Sequence, residues 1–134
     1  MVEAPAEAVF ALILDYERTP VWQRSVRSAR VVARDEQGRG LEVAYEVDVR
    51  VATVHYTLRH SYDPPREISS AYVTGDFRDC RGRWTFDAQG PEATKACFEL
   101  YIDPGRAIPR PVVKMLNARV MKGTVEDLRR HFQA

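Results

Sequence analysis

The sequence predicts an α+β protein in which a curved antiparallel sheet wraps around a long C-terminal helix. Three features predict it. Hydrophobic residues recur with a period of two between residues 26 and 103. Short turn-forming segments join the stretches that carry them. A final run from about 110 to 133 has a helical stripe and, after Pro111, no further proline.

Two short helices open the chain. Pro5 suits a first helical position, Glu7 complements the helix dipole, and Val9, Phe10, Ile13 and Tyr16 recur at helical spacing, which predicts a helix over 5–17. Thr19 and Pro20 stop it and start a second through Val21, Trp22, Gln23 and Arg24. The period then changes, giving a strand over 26–34 that ends in the turn Asp35, Glu36, Gln37, Gly38. In the next strand Leu41, Val43, Tyr45, Val47, Val49 and Val51 share one face, opposite Glu42, Glu46, Asp48 and Arg50. Val54, Tyr56, Leu58, His60 and Tyr62 repeat the pattern until Pro64 and Pro65 end it. Strands over 67–74, 82–88 and 93–103 follow, with loops around 75–81 and at Gly90, Pro91. The last helix carries Val112, Val113, Leu116, Val120, Leu128 and Phe132 in one stripe and reaches roughly 35 Å at ~1.5 Å per residue.

Length and composition bound the function. A chain of 134 residues matches the commonest size of a single domain, so one domain over 1–134 is expected. Hydrophobic residues at 45% and charged residues at 29% are those of a globular rather than a disordered chain. No apolar run approaches the ~20 residues of a bilayer span and the start lacks the features of a signal peptide, so a cytoplasmic location is expected. A net charge of +1 provides no general attraction for nucleic acid, and no stable nucleic-acid partner is expected. Arg27, Arg30, Arg34, Arg106 and Arg110 are read as solvated. Cys80 and Cys97 lack zinc or redox spacing and are read as reduced thiols. His55, His60 and His131 have no metal-ligand spacing, so neither metal nor cofactor is expected.

Six one-sided strands present more apolar face than one long and two short helices cover. A curved sheet closes on the helix and either packs it fully or leaves space between them. The large inward residues Tyr45, Tyr56, Tyr72, Trp84, Phe86 and Phe98 either fill that space as core or line it as a ligand pocket. His60 falls on the same face, and Leu116 and Val120 face it from the helix. The candidate ligand-binding set is therefore Tyr45, Tyr56, His60, Tyr72, Trp84, Phe98, Leu116 and Val120. No catalytic motif is present. Tyr45, Tyr56, His60 and Tyr72 are the groups to test for proton transfer, each also an ordinary residue of a half-buried sheet. Trp22 and Phe77 lie beside turns where such a pocket would open, as gates or as caps of the core.

Several local motifs occur in a familiar order. Ala4-Pro5-Ala6-Glu7-Ala8-Val9-Phe10, then Asp15-Tyr16-Glu17-Arg18 and Pro20, resembles the first helix of the helix-grip superfamily of START lipid-binding domains, pollen-allergen-like proteins and polyketide cyclases (the SRPBCC superfamily). Gly75-Asp76-Phe77-Arg78 leading to Gly82-Arg83-Trp84-Thr85-Phe86 resembles its coenzyme Q-binding and polyketide cyclase/dehydrase branch. The resemblance implies a helix-grip sheet of six to seven strands. The family normally has a strand before the first helix, where this sequence has only Met1, Val2 and Glu3: either the start is incompletely represented or one sheet edge is short and exposed, and monomer and homodimer are both left open. It further implies binding or carriage of a hydrophobic small molecule such as an isoprenoid quinone, a polyketide or another lipid-like ligand. The alternatives it carries are an aromatase/cyclase-like enzyme acting on a polyketide intermediate and a ribosome-interacting, toxin-like module.

Overall fold

The computed structural model describes residues 2–50, 52–106, 108–121 and 123–133. Helix α1 (Ala6–Leu14) is followed by a 3₁₀ turn (Tyr16–Arg18) and the single-turn helix α2 (Thr19–Trp22). Strands β1 (Val26–Arg34), β2 (Gly40–Asp48), β3 (Thr53–Asp63), β4 (Glu67–Gly75), β5 (Asp79–Ala88) and β6 (Thr94–Asp103) then form one antiparallel sheet in the order β1-β2-β3-β4-β5-β6. Helix α3 (Arg110–Leu116) runs into a π-helical turn (Asn117–Met121), and α4 (Gly123–His131) follows. No described helix is long and apolar enough to cross a membrane.

The β2–β3, β4–β5 and β5–β6 pairings run without a register shift, whereas β1–β2 and β3–β4 contain bulges. Tyr45 pairs with Tyr56, His60 with Ser70 and Trp84 with Phe98, so inward residues of neighbouring strands stand side by side. At the β1–β2 turn the Asp35 carboxylate accepts the backbone N–H groups of Gln37 and Arg39 at 3.0 and 2.9 Å. Strand β2 ends at Asp48, earlier than its alternation suggests, because Arg50 takes a positive φ of 74° and donates its N–H to the Asp48 carboxylate. Val51, expected to extend that apolar face, lies outside the described residues. Strand β5 begins at Asp79, three residues before its expected start at 82.

Ahead of α1 the described residues form a single bridge. Val2 and Thr94 exchange backbone hydrogen bonds of 2.7 and 2.9 Å, and the Thr94 hydroxyl donates to the Ala4 carbonyl. The Val2 side chain is fully buried by this pairing.

The C-terminal segment buries Val112, Leu116, Val120, Thr124 and Leu128, a stripe spaced by four throughout. In a regular α-helix each such step overshoots a full turn by about 40°, so the stripe would wind off the sheet. The wider π turn at Asn117–Met121 offsets part of that drift. The Thr124 hydroxyl donates to the Val120 carbonyl at this turn.

The core divides in two. One part, including Val43, Val47, Val54 and Leu116, lies under β1–β3 and α3. The other, including Val9, Phe10, Phe86 and Leu128, lies between α1, β5 and α4.

Two glycines separate strain from collision. Gly75 has φ +139°, and a Cβ there would run into the His55 carbonyl and the Tyr56 backbone. Gly38 has φ +80° with nothing within 4 Å. Gly75→Ala is predicted to lower stability by roughly 3 kcal/mol, and Gly38→Ala by about 1 kcal/mol, in urea denaturation. Equal losses would contradict the close β3–β4 approach.

Candidate functional site

A cavity of about 70 Å³ lies where the two halves of the core meet. Val26, Leu58 and Val120 reach it from one half and Ile13, Ile68 and Trp84 from the other. Its origin is legible in the strand register. His60 pairs with Ser70, Ser70 with Gly82 and Gly82 with Leu100, forming one row across four strands. On one side runs the bulky row Tyr62, Ile68, Trp84, Phe98. Ser70 and Gly82 occupy the middle of the row beside it, where side chains stop short of the helix. Gly82 is not required by its backbone, since a Cβ there would meet its neighbours only at 3.6 Å or more.

A polar chain is set into this wall. The Tyr45 hydroxyl lies 2.8 Å from His60 Nε2, and Ser70 Oγ lies 2.7 Å from His60 Nδ1. A neutral imidazole donates from one nitrogen and accepts at the other, so both contacts are met without charge. Tyr16 stacks on the His60 ring at 4.8 Å with an interplanar angle of 7°. Its hydroxyl is 2.8 Å from that of Tyr62, which in turn donates to the Gly40 carbonyl. Gly40 makes room for that ring, because a Cβ would stand 2.9 Å from Tyr16.

Burial sets the protonation states. It drives the His60 pKa down to about 4 and raises the hydroxyl pKa values of Tyr16, Tyr45 and Tyr56 far above the ordinary phenol range. Each group is therefore held neutral at physiological pH.

Of the eight residues predicted from sequence, Tyr45, Tyr56, His60, Trp84, Phe98 and Val120 line the cavity. Tyr72 and Leu116 stand outside its lining. The Tyr72 hydroxyl donates to the Phe77 carbonyl, and Leu116 is packed in the core under β1–β3. Phe77 packs against Tyr56 and Tyr72 and is also outside the lining, whereas Trp22 belongs to it. Sequence reasoning missed Tyr16, Ser70 and Gly82. Ser70 shares parity with Ile68, and Gly82 with Trp84, but without the register neither stands out as a gap.

Helix α2 closes one wall. Gln23 Nε2 donates to Thr124 Oγ1 at 2.9 Å, and the Arg24 N–H donates to the buried Asp127 carboxylate at 3.0 Å. Among the described residues, Trp22 Nε1 and Ser25 Oγ are buried with no hydrogen-bond partner. Each such group costs about 1–3 kcal/mol, which makes this turn the least satisfied part of the enclosure. No cluster of metal-binding side chains occurs among the described residues.

Comparison with known proteins gives a consistent picture. A family profile described as polyketide cyclase/dehydrase and lipid transport matches residues 2–129. No curated protein matches the chain by sequence. Among solved structures, a START superfamily protein from Mycobacterium smegmatis superposes with a TM-score of 0.86 at 22% identity, covering 98% of this chain and 92% of that one. A protein from Thermus thermophilus superposes with a TM-score of 0.77 at 23% identity, covering 98% and 88%. The Zhui aromatase/cyclase from a Streptomyces species superposes with 0.73 at 21% identity, covering 95% and 84%. At these identities the likeness is one of fold.

The depressed His60 pKa has a consequence for stability. An unfolded histidine binds its proton near pH 6.5 and the buried one near 4. The unfolded state thus holds more protons between these values, and stability falls as pH drops through that window. The loss amounts to about 3 kcal/mol. Urea denaturation at pH 7 and pH 4.5 should reveal it, and His60→Phe should remove that share of the pH dependence. A His60 NMR titration midpoint near 6.5 would contradict the assignment.

Proposed function

Because the chain belongs to the polyketide cyclase/dehydrase and lipid-transport family, we propose that it binds or carries a hydrophobic small molecule in the cavity between sheet and C-terminal helix. The observation that carries this reading is the row His60, Ser70, Gly82, Leu100, whose central residues leave an apolar space beside a satisfied polar chain. A core selected only for stability would fill that space, since a strand-interior glycine costs roughly 0.5–1 kcal/mol relative to alanine. The ligand-binding residues are Tyr45, Tyr56, His60, Trp84, Phe98 and Val120, together with Tyr16 and Ser70.

The cavity is small for this role. About 70 Å³ is less than the roughly 150 Å³ of an engineered apolar cavity that admits benzene. Even a single aromatic ring therefore needs a wall to yield, and a quinone or polyketide needs more. The wall that yields is α2, one turn long, tied to α4 by Gln23 and Arg24 and carrying Trp22.

A second reading, catalysis of cyclase type, is favoured by the Tyr45–His60–Ser70 chain. A pocket that folds a flexible chain into a reactive conformation lowers a barrier by orientation alone. A histidine with a pKa near 4 is a weak general base at neutral pH, which sets binding ahead of proton transfer.

Organic extraction of the purified protein followed by mass spectrometry should release a stoichiometric apolar compound. Gly82→Val should abolish its retention while leaving stability unchanged or raising it by roughly 0.5–1 kcal/mol. Wild-type retention in that variant would refute the cavity as the binding site. For the cyclase reading, a poly-β-ketone mimic should give a changed product distribution. An unchanged distribution, with Tyr56→Phe and His60→Ala matching wild type, would remove it.

A further inference from the structure

The described wall of the cavity carries no charged side chain. Among the described residues that line it, none is aspartate, glutamate, lysine or arginine. Its ionisable members are tyrosines and His60, and His60 has both ring nitrogens occupied by Tyr45 and Ser70. The remaining polar groups include the hydroxyls of Thr19 and Thr124, the amide of Gln23 and the unpartnered indole N–H of Trp22, all near α2. Those of Gln23 and Thr124 already bond to one another. An anion entering here would lose its hydration and meet no cation among the described lining residues, a cost of several kcal/mol for an unpaired buried charge. A neutral molecule with one or two oxygens loses far less, because hydroxyls and an amide can exchange partners with it.

We propose that the site selects neutral, oxygenated aromatic compounds, of the aryl ketone or phenol class, and rejects carboxylates and other anions of the same size. This rests on the cavity being a ligand site at all. Aromatic character follows from the walls: Tyr16, Tyr45, Tyr56, Trp84 and Phe98 offer ring faces and edges for stacking. Neutrality follows from what the walls lack. Free fatty acids and anionic lipids are thereby excluded as internal ligands, which narrows the lipid-like class considerably.

The outer face of the sheet offers a contrast and a complication. A groove there of about 450 Å³ carries Arg30, Glu46 and His55. An anion that associates with the protein has a cationic group on that face, so the test must be resolved by site.

Acetophenone and benzoate are matched in size and differ in charge at pH 7.5. Binding of each would be followed by NMR shifts of the His60 ring and of the Val120 and Leu100 methyls, in wild type, in Gly82→Val and in Val120→Phe, which fills the space from the helix side. The expected result is saturable acetophenone binding that both filling variants remove, with benzoate at least roughly a hundredfold weaker at those probes. Gln23→Arg, which places a cation at the cavity wall, should narrow that ratio at least roughly tenfold. Benzoate binding at the cavity probes as tightly as acetophenone would overturn the charge selection and leave the hydrophobic-ligand reading intact. Acetophenone that fails to bind, or that binds unaffected by either filling variant, would overturn that reading and this inference with it.

Discussion

The inner face of a six-stranded sheet is wider than one helix can cover, and the other features of the molecule are responses to that constraint. Curling brings β1–β3 against α3 and β5–β6 toward α1 and α4, so the core forms as two halves. The seam between them is where packing is hardest to complete. Bulky residues close it along the row of Tyr62, Ile68, Trp84 and Phe98, and Ser70 and Gly82 leave it open in the neighbouring row. The cavity is a consequence of which two residues sit at one level of the sheet.

The polar chain in the seam follows from the same geometry. A buried imidazole is tolerated only when both nitrogens are engaged, and the pairing of His60 with Ser70 across β3 and β4, with Tyr45 reaching from β2, meets that requirement. Tyr16 covers the ring and links the site to the 3₁₀ turn that leads into α2. The single-turn helix α2 is thus joined directly to the site. The C-terminal helix contributes through its π turn, which holds Val120 and Thr124 against the opening and places Thr124 beside Gln23.

Much of this architecture can be read from the chain alone, because period-two alternation and turn residues are local signals. The face assignments of Val43, Tyr45, Val47, Leu58, His60, Trp84 and Phe86 all follow from parity and agree with the burial or cavity position of each. The motif order from Ala4 to Phe86 leads to the family that the profile identifies. What escapes the sequence is non-local. Ser70 and Gly82 acquire meaning only when pairing places them in one row, and Tyr72 shares the inward parity yet turns to the Phe77 carbonyl. The π turn is hidden because a spacing of four reads as an ordinary helical stripe. The early start of β5 is hidden because Asp79 and Arg81 surround Cys80, a small buried residue in a charged stretch that reads as loop.

A hollow, apolar seam admits a neutral guest and a packed one does not. Xenon is the plainest such guest, since it is uncharged, makes no hydrogen bonds and enters apolar cavities of modest size. In solution under xenon pressure, the methyl resonances of Ile13, Ile68, Leu58, Leu100 and Val120 should shift together and saturate. The methyls of Val32 and Val21, which are exposed on the surface, should show only the linear drift of non-specific contact. Uniform, unsaturable shifts across all of these methyls would mean that the interior is packed shut and holds no guest site.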